Sequence, residues 1–377
     1  MKAKKTIALI LSVLSAAAPF APVAQAQGPF LPSAAEFFPA AQAPRGFRPL
    51  LTELFLVGRG ITNGNVFNDS VLVLHKGELI YERHARGWDK DTPHQMYSVT
   101  KSVLSALVGI AIAEGKLSGV DQKVVDILKN ITIAPGQEAK RDITIEHLLT
   151  QTSGLPGDSD DEANAVAWWD AKDSGKAAFE MPQVARPGER FAYSSGPGMQ
   201  TLAALLTNAV GENLFSYAKR KLFGPLGMNS VLWDAAADGV NYGGFGFSMS
   251  PRDMLRLGYL YLNEGKWNGK RILPAGYVEA GKPRPLLGET YGYAFWNSFG
   301  NGRYPGSYHA SGSFGNFIFI MPGEDTVIVR TGSAGPATRT VSRGMGSSKA
   351  VEAIFMGIVY PLVPLKGVPL DYFIANL

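Results

Sequence analysis

Apolar, β-prone residues dominate 70–74 and begin a second run over 78–84, with His75-Lys76-Gly77 between, and this pattern predicts an antiparallel hairpin. From Ser98 to Glu114 the pattern changes. Val103, Leu104, Leu107, Val108, Ile110 and Ile112 place apolar groups nearly all round a helix, which predicts a buried helix and not an amphipathic one. Shorter helical patterns follow at 144–150, 199–209, 214–222 and 251–263, separated by Gly and Pro loops. Strand patterns return at 308–310, 317–321 and 326–331, and 347–359 reads as a closing helix. Strands at both ends with helices between predict an α/β (α+β) fold, in which one antiparallel sheet is built from both chain ends, flanked by helices and interrupted by a mostly helical insertion. The boundaries that follow are 66–125 with 283–377 for the α/β domain and 126–282 for the insertion.

The first residues follow a different logic. Lys2, Lys4 and Lys5 precede an apolar run over 6–18, and Ala24-Gln25-Ala26 offers small residues for cleavage, so residues 1–26 read as a secretory signal peptide. The run is shorter than the roughly 20 residues that span a bilayer, and no later segment is a second candidate. The mature chain is therefore expected to start near Gln27, to carry no membrane span, and to be periplasmic or secreted. Residues 27–65, rich in Pro, Ala and Gly, read as an N-terminal arm with one helix near 50–56.

Composition then removes several functions. Without the three leader lysines the formal charge of +4 falls to +1, which gives no reason to expect nucleic acid as a partner. There is no Cys, which excludes disulfides, thiolate metal sites and a Cys nucleophile. His75, His84, His94, His147 and His309 stand singly, with no spacing that suggests a metal site, and no cofactor is expected. No Gly-x-Ser-x-Gly elbow is present either.

The chemistry that remains is that of Ser98 and Lys101, three apart at the start of the buried helix and so on one face of it. A serine hydroxyl is a poor nucleophile until a base takes its proton, and a lysine in a desolvated site can help. Ser216 and Lys219 share the spacing, so spacing alone does not decide; Ser98 differs in lying between a polar approach and a buried helix. Tyr193, in Phe191-Ala192-Tyr193-Ser194-Ser195-Gly196, is a second candidate, although a lone tyrosine there is more often a core or turn residue. The third is Tyr308-His309-Ala310-Ser311-Gly312-Ser313, a strand running into small residues that let a substrate approach the backbone. Trp168 and Trp169 either line a substrate pocket or pack the insertion.

Taken in order, Ser98-Val99-Thr100-Lys101, Tyr193-Ser194-Ser195 and His309-Ala310-Ser311-Gly312-Ser313 resemble the three motifs of class C β-lactamases, DD-peptidases and their esterase and amidase relatives. Residues 143–155 and 222–228 extend the likeness, and 98–117 look especially like 6-aminohexanoate-dimer hydrolases and β-lactamase-like carboxylesterases. The resemblance implies a β-lactamase/transpeptidase-like fold and a small-molecule ester or amide substrate. It implies Ser98 as nucleophile, Lys101 and Tyr193 as a proton relay, and the backbone of Ser98 and Ser313 as the oxyanion site. Gly312, Ser195, His309, Trp168 and Trp169 are expected near the substrate. Two departures stand out: Ala310 replaces the lysine of the third motif, and Ser195 the asparagine of the second. Both argue against antibiotic hydrolysis. The alternatives are β-lactamase or DD-peptidase activity, or a catalytically silent binding protein of the same fold.

Overall fold

The computed structural model describes residues 66–160, 168–297 and 305–334. The expected leader, N-terminal arm and closing helix lie outside them. The first hairpin forms as its β-prone runs predict, with β1 (Val66–His75) and β2 (Glu78–His84) joined by Lys76 and Gly77, both at positive φ. β3 (His94–Gln95) leads into the long helix α1 (Val99–Ala113). α2 (Val124–Ile127), α3 (Ile145–Leu149), α4 (Ser174–Glu180) and α5 (Pro197–Val210) follow. The pattern expected over 214–222 is realised as α6 (Leu214–Ala218), which widens to π geometry over Lys219–Phe223 before α7 (Gly224–Leu226).

After β4 (Val231–Trp233) and β5 (Phe247–Met249), Ser250 caps α8 (Pro251–Leu262) by accepting the Asp253 N–H at 3.2 Å, and Pro251 occupies its first turn. β6 (Lys266–Trp267), β7 (Lys270–Arg271), α9 (Tyr277–Ala280), β8 (Arg284–Leu286), β9 (Glu289–Tyr291) and β10 (Trp296–Asn297) lead to the last three strands. These are β11 (Tyr308–Gly312), β12 (Asn316–Met321) and β13 (Thr326–Ala334).

One antiparallel sheet runs in the order β2-β1-β13-β12-β11-β10-β9-β8, so the first hairpin joins the last strands through β1 and β13, as the pattern predicts. A second small sheet, β3-β5-β4, pairs His94 with Met249 immediately ahead of α1. This pairing has no counterpart in the periodicity, since each strand is two or three residues long.

The main core lies between the sheet and the helices, and α1 and α5 are buried over most of their length. α8 crosses β1, β12 and β13 at close range because Gly258 has no side chain there. A Cβ at Gly258 would lie 2.5 Å from Val327 Cγ1 and 2.8 Å from Ile318 Cγ2. On β11, Tyr308 and Ala310 join this core, whereas His309 alternates to the other face, its ring 5.2 Å from that of Phe319 and 5.7 Å from that of Phe317. Burial pushes the His309 imidazole down to about 3.

Two outcomes follow from this packing. Gly258→Val adds atoms where none fit and is expected to destabilise the protein by about 1–3 kcal/mol, although helix propensity alone would favour it. A shifted urea midpoint measures it, and a stabilised variant would contradict the packing. His309 stays neutral in the fold while the unfolded chain takes up its proton near the ordinary value of 6.5, so stability falls as pH drops from there towards about 3. Between pH 7 and pH 5 wild type is expected to lose about 2 kcal/mol more unfolding free energy than His309→Leu does. Equal losses would place His309 in contact with water.

Candidate active site

The turn from β3 into α1 sets the site. Tyr97 adopts φ 50°, a left-handed conformation that costs a bulky residue roughly 1–3 kcal/mol. Its ring is held edge-on to Phe314 at 5.1 Å, and burial pushes its phenol up to about 12. Ser98 then occupies the cap position of α1, yet its hydroxyl makes no capping bond. It accepts a hydrogen bond from Lys101 Nζ at 2.8 Å instead. The N–H groups of Val99, Thr100 and Lys101 are taken by the carbonyls of Met96, Tyr97 and Ser98, so the helix N-terminus offers Ser98 the positive end of its dipole.

Lys101 is 1% exposed, and its ammonium has three acceptors: Ser98 Oγ at 2.8 Å, Ser195 Oγ at 2.9 Å and the Gly244 carbonyl at 3.1 Å. Ser195 reaches it because the 191–196 segment runs straight into the N-terminus of α5. Gly244 reaches it because β5 is paired to β3, and because a Cβ at Gly244 would strike the Ser195 carbonyl at 1.9 Å. Tyr193 presents its ring to the same ammonium, 4.5 Å from centroid to Nζ. Its hydroxyl makes no hydrogen bond among the described residues. Tyr193 is backed by Trp296 at 5.5 Å and Tyr291 at 6.3 Å, which seats it on the β9–β10 edge.

The third segment closes the other side. Gly312 presses on the backbone ahead of the serine, where a Cβ would lie 2.1 Å from the Met96 carbonyl, so the turn Ser313–Gly315 stands beside Ser98. Its carbonyls face backwards: Asn316 Nδ2 donates to Ser313 O at 2.8 Å, and buried Arg330 donates to the carbonyls of Phe314 and Gly315. Beyond His309 the β10 side of β11 has no paired residue among those described. The side chain of Ala310 is fully buried in the core.

Ser98, Lys101, Tyr193 and Ser195 therefore meet at one point, and Gly312 and Ser313 adjoin it. His309 is not brought into this cluster, since strand alternation turns it to the opposite face of the sheet among aromatic rings. Trp168 is 1% exposed and serves packing, while half-buried Trp169 stacks on Phe245 at 5.0 Å and lies 5.1 Å from Tyr242, on the loop that carries Gly244.

Two contributors had no signal in the sequence reading. Gly244 supplies a carbonyl from 143 residues along the chain. Asp158, in an acidic loop that reads as solvated surface, accepts both the Ser195 N–H at 2.6 Å and its O–H at 2.7 Å. Only the run of acids after Gly157 hinted at it, and such runs are usually plain loops.

Comparison with known proteins gives the fold and the family. A 6-aminohexanoate-dimer hydrolase of Paenarthrobacter ureafaciens is 27% identical over 298 residues, which cover 70% of this chain and 72% of that protein. Among solved structures, the octameric penicillin-binding protein homologue from Pyrococcus abyssi superposes with a TM-score of 0.61 at 20% identity, covering 85% of this chain and 79% of that one. A family VIII carboxylesterase superposes with a TM-score of 0.60 at 15% identity over 84% of this chain and 99% of that one. Likeness at these identities shows the shared β-lactamase/transpeptidase-like fold. The model of the family described as Beta-lactamase matches residues 56–341, across both the sheet and the helical region, and the chain belongs to that family.

Proposed function

We propose that this protein is an exported serine hydrolase that cleaves an ester or a linear amide through an acyl-enzyme on Ser98. One observation carries the reading: a buried lysine ammonium is fixed 2.8 Å from the Ser98 hydroxyl, which helix capping leaves free. Lys140 is buried as deeply but donates to the carbonyls of Phe179 and Met181, whereas Lys101 spends a hydrogen bond on the candidate nucleophile. In the reaction the Lys101–Tyr193 pair acts with one proton fewer than an ammonium beside a phenol: Ser98 Oγ bonds the carbonyl carbon and its proton passes to that pair. The pair returns it to the alkoxide or amine as the bond to the carbonyl carbon breaks. Water then attacks the acyl carbon and gives a proton to the same pair, the bond to Ser98 Oγ breaks, the pair returns the proton to Ser98 Oγ, and the acid is freed. Ser98 and Ser313 offer backbone N–H groups to the oxyanion, each donor contributing about 3 kcal/mol of transition-state stabilisation. The hydrolase names of the relatives support the reaction class. The leader-like segment 1–26 supports export.

The substrate side favours a neutral group. Ala310 offers a buried methyl where the β-lactamase motif has an ammonium, so nothing at that position pairs with a β-lactam carboxylate.

Ser98→Ala is expected to abolish fluorophosphonate labelling and hydrolysis of a short-chain aryl ester while leaving the fold unchanged, whereas Ser216→Ala behaves as wild type. Acylation at any other residue, read by mass spectrometry, would sink the assignment. A penicillin is expected to react more than tenfold more slowly than the best ester; a ratio inside tenfold, about 1.4 kcal/mol, would restore antibiotic hydrolysis as the reading.

Tyr193→Phe removes only a hydroxyl and is expected to lose on the order of 10²- to 10⁴-fold in kcat/KM with little change in stability. Lys101→Ala is expected to lose at least as much, and the double variant scarcely more than either single. Additive losses, or a Tyr193→Phe enzyme within about threefold of wild type, would leave Tyr193 as a wall of the pocket and no part of the relay.

A further inference from the structure

We propose that Asp158 is a positioning residue for Lys101, acting through the Ser195 hydroxyl. The proposal rests on the reading of Ser98 and Lys101 given above. A serine hydroxyl has one proton to give, and its rotation decides where its lone pairs face. At Ser195 that proton goes to Asp158 Oδ2 at 2.7 Å, while Oδ1 takes the backbone N–H of the same residue at 2.6 Å. A lone pair is thereby turned towards the Lys101 ammonium, 2.9 Å away. The result is a continuous line from carboxylate to hydroxyl to ammonium to the Ser98 nucleophile.

The carboxylate is itself held. Asp158 donates its backbone N–H to the Tyr193 carbonyl at 2.7 Å, and Gly157 donates to Asp160 Oδ2 at 2.9 Å. Arg190 pairs with Asp160 and ties this loop to the segment that carries Tyr193 and Ser195. The other groups around the ammonium are Ser98 from α1, the Gly244 carbonyl ahead of β5 and the titratable Tyr193, which presents a ring face. Asp158 is the negative charge two hydrogen bonds from Nζ, and it is exposed, so replacing it removes little packing.

Asp158→Asn keeps the shape and an acceptor for the Ser195 N–H but loses the charge and the second carboxylate oxygen. The variant is expected to label with a fluorophosphonate, and to turn over an aryl ester, about tenfold more slowly with KM within about twofold. The acidic limb of its pH–rate profile is expected to move to lower pH, because a nearby anion favours the ammonium and its removal lets the proton leave sooner. In a Ser195→Ala background the same substitution is expected to cost no further rate. Independently of turnover, hydrogen exchange of the Lys101 ammonium, followed by NMR, is expected to speed up by about tenfold as one of its three acceptors turns away. Unchanged rate and pH profile in Asp158→Asn, rate losses that add to those of Ser195→Ala, or unchanged ammonium exchange would each overturn the proposal. A wild-type protein that fails to label would defeat the acyl-enzyme reading and not this one, since the exchange comparison needs no turnover.

Discussion

An ammonium group taken out of water must find an acceptor for each of its three protons, and Lys101 imposes that requirement on this fold. It sits one turn into a helix whose neighbours are almost all apolar, so no acceptor is available from that helix except Ser98. The other two must come from elsewhere. They arrive from Ser195 and Gly244, each on a segment delivered by a separate structural device: the start of α5 for the first, the pairing of β5 with β3 for the second. Misplacing either segment would leave a buried donor unpaired, a penalty of roughly 1–3 kcal/mol or more for a charged group. The cluster around Lys101 and the docking of the segments that complete it are one problem with one solution.

The same constraint explains where the chain tolerates unusual local structure. Tyr97 takes a left-handed φ, and glycine is needed at 244 and 312 because a Cβ would run into a backbone carbonyl at 1.9 and 2.1 Å. All three border Ser98 or Lys101. A serine at a helix cap ordinarily satisfies an N–H of its own helix, whereas Ser98 does not. Left-handed residues also occur away from the site, as at Lys76, Glu264 and Leu287, but beside Ser98 a left-handed residue, a serine that does not cap its helix and two closely packed glycines coincide.

Part of this architecture could be read from the residues. The hairpin and the last strands were legible as short apolar, β-prone runs bounded by turn residues, and the buried helix as a long apolar run without breakers. Strands β3, β4 and β5 were not, since two or three residues make no period and β3 finds its partner β5 about 150 residues away. In the site, Ser98, Lys101, Tyr193 and Ser195 were recognisable as a motif set, and the geometry brings them together. Asp158 was invisible because its meaning lies in a hydroxyl 37 residues on. His309 stood inside a motif and still turned away, because a strand sends neighbouring side chains to opposite faces and Tyr308 and Ala310 had already taken the core side.

The Ser313 side of the candidate site is organised by polar groups at a distance from Ser98. Three successive carbonyls, of Ser313, Phe314 and Gly315, are engaged by Asn316 and Arg330. Arg330 is fully buried, and although burial lowers its guanidinium to about 10, it remains a cation at neutral pH. Its Nε is spent on Asn68 Oδ1 at 2.6 Å, which ties the turn to β1 across the centre of the sheet. A turn whose carbonyls are drawn back towards a buried cation is fixed before any substrate arrives. Groups already oriented need no reorganisation when negative charge develops, and that is the condition under which backbone donors stabilise an oxyanion most. The positive charge behind Ser313 and the ammonium beside Ser98 thus stand on opposite sides of the point where the two segments meet, each held in place by hydrogen bonds that do not involve the substrate.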